Sequence, residues 1–160
     1  EGEGEGEGEG EGEGEGEGEG EGEGEGEGEG EVVVEKVWDG SVTIKDAQGV
    51  EELKGYTEVT GSLIIQAPTL VTIDLPDLIE IGGFLSVNVN PSLKTLSFAS
   101  LKELGSDMSV NGNAVLTSLT LPALKEVGFG IQMDSNNALT NLSMVDAHAL
   151  AFVTSSLSHL

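Results

Sequence analysis

The residues best suited to covalent chemistry lie near the C-terminus, where Ser143, Asp146, His148 and His159 fall within a short stretch. A serine, a histidine and an aspartate can supply a nucleophile, a general base and an orienting acid. They do so only when they converge in a pocket that also holds an oxyanion donor. Nothing in the local sequence arranges that convergence, so we expect surface or capping histidines and no enzyme activity. Glu103 and Glu126 raise a second possibility, since paired carboxylates carry glycoside hydrolysis. Each follows a lysine, Lys102 and Lys125, at the same interval, which reads as a solvated charge ladder. The segment SDMSVNGN, Ser106 to Asn113, has oxygen ligands but lacks the ligand order of a calcium loop. No glycine-rich phosphate loop joins a strand to a helix. The absence of cysteine removes disulfides, thiolate metal sites and thiol nucleophiles. We therefore expect no metal and no cofactor.

Binding chemistry has more to work with. One set of alternate positions reads Gln66, Ser86, Asn88, Ser109, Asn111, Gln132 and Asp134, with Ile64 the apolar exception. Such an amide-rich face could hydrogen-bond a protein or a glycan. A second set, Thr72, Asp74, Thr95, Ser97, Ser118, Thr120, Asn141 and Ser143, is rich in hydroxyls. Regular hydroxyl arrays can match an ice lattice, which makes ice or surface binding the alternative, although Asp74, Lys94 and Asn141 interrupt it. Interfaces of high affinity lean on Trp, Tyr and Arg. Here there is no arginine, and Trp38 and Tyr56 are the single residues of their kinds. Asn141-Leu142-Ser143 is an N-glycosylation sequon, which would be used only on a secreted chain.

The elements that must position these arrays come from a repeat. Leu93, Leu96, Phe98, Leu101 and Leu104 precede Gly105, and 23 residues later Leu116, Leu119, Leu121, Leu124 and Val127 precede Gly128. One unit earlier Leu70, Ile73, Leu75, Leu78 and Ile81 precede Gly82, with one residue deleted. Each unit also opens on an apolar pair: Leu63 and Ile65, Leu85 and Val87, Met108 and Val110, Ile131 and Met133. A fixed period of this length marks a solenoid, whose units bury a core only by stacking. Alternation within each short piece places its apolar side chains on one face, as in a strand. The spacing predicts repeats at about 41–60, 61–82, 83–105, 106–128 and 129–144, two alternating strands in each, and a short helical cap over 145–160 begun by Asp146. The fold class is then mainly β: a β-helix-like or leucine-rich-repeat-like solenoid of four to five turns. Residues 31–38, EVVVEKVW, could add an edge strand. Gly82, Gly105 and Gly128 recur where the chain should turn, and we expect positive φ there. Asn90, Asn113 and Asn136 recur three residues after an inward position, and we expect a turn-capping ladder rather than ligand contacts. Pro76 and Pro122 share a column, which should face a corner or edge.

Three pieces carry a family likeness: GVEELKGYTEVTGSLII (Gly49 to Ile65), NPSLKTLSFASLKELG (Asn90 to Gly105) and NAVLTSLTLPALKEVG (Asn113 to Gly128). They resemble the receptor L-domain, the module of insulin-receptor and epidermal-growth-factor-receptor ectodomains, and most of all its form in fungal and microbial GPI-anchored cell-wall proteins. The likeness spans about Val42 to Met144. It implies a right-handed, β-helix-like and leucine-rich-repeat-like solenoid on an extracellular or cell-surface protein, with a protein or glycan ligand. Members often place a cysteine near the position of Tyr56, which this chain lacks.

Charge narrows the partners. The chain of 160 residues carries −24. Residues 1–30 are 15 Glu-Gly pairs, and outside them 15 acids face 6 lysines, a net −9. Nucleic acid and anionic membrane surfaces are disfavoured for want of a basic footprint. No apolar run reaches transmembrane length, so direct membrane insertion is not expected. The tract has no apolar group to bury, and we expect it disordered, as a spacer or appended tag. A native linker and a weak cation-attracting tail are its other readings. The chain does not start with Met and shows no signal peptide, which suggests an internal piece of a longer protein or an engineered chain. The apolar ends of the solenoid could support homo-association.

Overall fold

The computed structural model describes residues 35–144. The expectations for the Glu-Gly tract, for Val32 to Val34, for a helical cap over 145–160 and for His148 and His159 lie outside the described residues.

The chain winds as a parallel β-solenoid of about five turns, and each regular turn contributes to three sheets. The first sheet holds β2 (Val42–Ile44), β4 (Leu63–Ile65), β7 (Leu85–Asn88), β10 (Met108–Asn111) and β13 (Ile131–Gln132). The second holds β5 (Thr72–Asp74), β8 (Thr95–Ser97), β11 (Ser118–Leu121) and β14 (Asn141–Met144). The third, which the two-strand reading of each unit does not anticipate, holds β1 (Val37–Trp38), β3 (Glu58–Val59), β6 (Glu80–Ile81), β9 (Glu103–Leu104) and β12 (Glu126–Val127). Every pairing among the described residues is parallel. Leu96 is the register partner of Leu119, and Met108 of Leu85.

That register stacks like on like in the interior. Leu63, Leu85 and Met108 form one column, Ile73, Leu96 and Leu119 another, Ile81 and Leu104 a third, all at 0–1% exposure. Fully burying each such side chain contributes roughly 1.5–3 kcal/mol. Because a turn touches only its neighbours, the core is a sum of coil-to-coil contacts.

The first turn departs from the pattern. In place of a strand of the second sheet it has a helix, α1 (Ala47–Leu53). Asp46 caps it, its side-chain oxygen accepting from the Gly49 N–H at 3.1 Å. Val50 and Leu53 turn inward and cover the core of the next coil. Of the stretch expected to add an edge strand, Val37 and Trp38 do so as β1, on β3. Trp38 meets Tyr56 edge-on with ring centroids 5.4 Å apart, and the Lys36 ammonium lies 3.9 Å from the Tyr56 ring centre. Pro76 and Pro122 are exposed at turns that follow second-sheet strands.

The recurrent glycines are present for a reason other than the one expected. Gly82, Gly105 and Gly128 are not among the positive-φ residues, which among the described residues are Gly40, Gly55, Gly112, Val89 and Ser135. Their constraint is closeness between coils. A Cβ on Gly105 would fall within 3.0 Å of the Gly82 carbonyl oxygen, and one on Gly128 would meet that of Gly105. At this corner backbone packs directly on backbone.

Positive φ is instead needed one residue before the asparagine column, at Val89 (57°), Gly112 (68°) and Ser135 (59°). Gly112 accepts it freely, whereas a β-branched side chain there is strained by about 1–3 kcal/mol. Val89 is also 72% exposed, so its side chain recovers little by packing. Val89→Gly should therefore stabilise the protein by about 1 kcal/mol after the extra chain entropy of glycine is counted. Chemical denaturation would read this as a higher midpoint with an unchanged slope.

Candidate functional site

The outward face of the first sheet is the best-organised polar surface. Inward residues of β7 and β10 fix the backbone, so Ser86 and Asn88 on one strand stand level with Ser109 and Asn111 on the next. The side chains then bond to one another. Asn88 Nδ2 donates to Ser86 Oγ at 2.9 Å, and Asn111 Nδ2 to Ser109 Oγ at 2.9 Å. Asn88 Oδ1 accepts from Ser109 Oγ at 3.2 Å and from the Asn111 backbone N–H at 3.0 Å. Asn111 Oδ1 accepts from the Asp134 N–H at 2.8 Å, which carries the ladder into the last described turn. Gln132 pairs in register with Ser109 and is exposed, and Gln66, just past β4, is exposed as well. Ile64 takes the serine position on β4, so the polar column begins at Ser86.

These bonds hold each amide in one orientation. The Asn88 oxygen accepts two bonds, while one N–H of each amide and one lone pair of Asn111 remain for a ligand. Beside them is an open cleft of about 320 Å³ lined by Phe84, Ser86, Asn88, Asp107, Ser109 and Gln132. Phe84 is 41% exposed at its rim. Phe84 and Asp107 escape a reading by alternation because each precedes its strand, outside the alternating positions. Their shared place, one residue before the first inward leucine or methionine, is the signal that could have found them.

The asparagine column faces the other way. Asn90 and Asn113 are fully buried. Asn90 Oδ1 accepts from the Ala67 N–H at 2.7 Å, and Asn113 Oδ1 accepts from the Asn90 N–H at 2.9 Å. Their amide groups donate to the carbonyls of Ile65 (3.2 Å) and Val87 (2.7 Å). Asn136, partly buried, continues the series by accepting from the Asn113 N–H and donating to the Val110 carbonyl. The polar groups of this corner are thereby satisfied within the chain.

The remaining candidates fall on separate surfaces. Glu58, Glu80, Glu103 and Glu126 are register partners in the third sheet, a column of four carboxylates at roughly the 4.8 Å strand spacing. Lys102 and Lys125 are exposed and make no ion pair with them; among the described residues the ion pair is Lys54 with Glu51. No group of three His, Asp or Glu among the described residues is placed to hold a metal. On the second sheet Thr72, Thr95, Ser118 and Asn141 stack in one column and Asp74, Ser97, Thr120 and Ser143 in the next. Asn141 is exposed on an edge strand, its Nδ2 donating to Ser118 Oγ at 3.0 Å. No described helix is long and apolar enough to cross a membrane.

Comparison with protein-family models, curated proteins and solved structures found no match. The class that fold and site define is a parallel β-solenoid with a pre-oriented amide face.

Proposed function

We propose that the protein is a noncatalytic recognition and scaffold module of the receptor L-domain type, working outside the cell or at its surface and binding a protein or glycan on the first-sheet face. One observation carries the reading. Ser86, Asn88, Ser109 and Asn111 hold each other's side chains fixed around an open cleft with an aromatic rim. A pre-oriented face loses less side-chain entropy when it binds, so a given set of hydrogen bonds yields more affinity. Phe84 supplies a ring on which the apolar face of a sugar or a peptide side chain can lie.

Ligands are to be sought by screening glycans and surface proteins against the folded chain. Replacing Ser109 and Asn111 together by lysine should weaken any ligand so found by about 10-fold or more, each lost buried hydrogen bond being worth roughly 0.5–1.5 kcal/mol. The double variant also loses the ladder bonds to Asn88 and to the Asp134 N–H, so its thermal midpoint should fall, and binding is compared at a temperature where circular dichroism shows both proteins folded. Equal binding by the parent and the double variant would remove this face from the function.

A second reading rests on the in-register hydroxyl columns of the second sheet, which could bind ice or another ordered surface. Thermal hysteresis tests it, and its absence at millimolar protein would eliminate that reading.

A further inference from the structure

Among the described residues the second sheet is one strand short of the other two. Of the strands described, the other two sheets have five each and it has four, because between β2 and β3 the first turn supplies the helix α1 and no strand. Among the described residues no strand lies beside its N-terminal edge, β5. The pattern of backbone bonds shows which groups this leaves. The Val71 carbonyl accepts from the Lys94 and Thr95 N–H groups, and the Leu75 N–H donates to Ser97. Residues 71, 73 and 75 thus face β8, and the N–H and C=O groups of Thr72 and Asp74 face the opposite side.

These groups open into a cleft of about 320 Å³ between β5 and α1. Its apolar lining is Ala47, Val50, Leu70 and Pro76. The Gly55 N–H, just beyond α1, donates to Asp77 Oδ2 at 3.1 Å, which ties the helix end to the next coil and holds the walls in place. Charge in the cleft is one-sided. Glu51, Asp74 and Asp77 line it, and Lys54, its one cation, is already bonded to Glu51.

We propose that this cleft takes an extended basic peptide as the fifth strand of the second sheet. Edge strands are templates for strand addition, with main-chain bonds giving affinity and alternate side chains giving selectivity. A strand on β5 would direct alternate side chains inward, toward Val50 and Leu70. The others would stand outward beside Thr72 and Asp74. The preferred segment then alternates apolar with cationic residues. The surface is distinct from the first-sheet face, so either can fail without the other.

The probe is an acetylated, amidated octapeptide of alternating lysine and valine. Binding should slow hydrogen exchange at the Thr72 and Asp74 amides by about 10-fold or more, as expected for N–H groups drawn into a ladder. N-methylating the peptide at alternate residues gives two isomeric probes. The isomer whose methyls fall on the bonding edge should lose binding about 10-fold or more, and the other should keep it. Asp74→Asn should weaken the parent peptide several-fold, and 0.5 M salt should do the same. No binding at millimolar peptide, equal binding by the two methylated isomers, unchanged exchange at Thr72 and Asp74, or indifference to both salt and Asp74→Asn would each overturn the proposal.

Discussion

Replacing Asn113 by alanine should cost the solenoid about 4 kcal/mol, a large share of the stability of a domain this size. The side chain is wholly buried and works in both directions. Its oxygen accepts from the Asn90 backbone N–H and its amide donates to the Val87 carbonyl at 2.7 Å. Alanine would strand both groups at a corner between coils, and each orphaned buried group costs about 1–3 kcal/mol. The Asn90 amide would also lose its bond to Asn113 Oδ1. Asn136→Ala removes a comparable set from a partly buried position where water can substitute, so about 1–2 kcal/mol is expected. Asn113→Asp keeps the acceptor but removes the donor to Val87 and buries a charge, and should be no better than alanine. Urea unfolding of the three variants gives the order. An Asn113→Ala protein within 1 kcal/mol of the parent would mean that the ladder fills space without holding the turns together.

The parts of this fold that could be read in the sequence are those with a repeating apolar signal. Leu96 and Leu119 announce their column because both sit in an apolar-polar-apolar triplet and recur at a fixed interval. The third sheet lacks such a signal. Its strands are two residues long, and Glu80-Ile81 or Glu103-Leu104 holds one inward residue with nothing to alternate against. What does recur there, a glutamate, an apolar residue and a glycine, has the look of a charge ladder and a turn. The helix α1 is hidden for another reason. The opening unit carries a faint strand pattern, while Asp46, placed to cap the Gly49 N–H, is a local cue that the repeat register masks.

The candidate site was legible in its membership and not in its organisation. Alternation alone places Ser86, Asn88, Ser109 and Asn111 outward. That Asn88 bonds Ser109 across the gap between strands depends on a partner 21 residues away and on register good to one residue. The cleft beside β5 is further from reach, since it exists because a strand is missing. A repeat search reports what recurs, and this groove lies where recurrence stops.

Gly105→Ala should cost about 3 kcal/mol or more for the addition of one methyl, because that methyl has no space and the neighbour that blocks it is backbone. Gly105 donates its N–H to the Ile81 carbonyl at 2.9 Å, and a Cβ added to it would run into the Gly82 carbonyl group. A side chain can turn aside, but a carbonyl held in a sheet corner moves only with its coil. Relief would require coils to separate at one corner, stretching the bond from Gly105 to Ile81 and opening the interface between Ile81 and Leu104 below it. Stability in a solenoid passes from neighbour to neighbour, so an insult in a middle coil divides the stack into two short pieces. Gly55 supplies the control. Its φ is 74° and nothing lies within 4 Å of the place an added methyl would take, so Gly55→Ala meets only the backbone strain of an L-residue there, about 1–2 kcal/mol. If conformational freedom were what the corner glycines provide, the two variants would be equally destabilised. If contact between coils governs, Gly105→Ala should lose at least twice as much in chemical unfolding, and hydrogen exchange should quicken on both sides of the corner, at Gly105 and at Gly128.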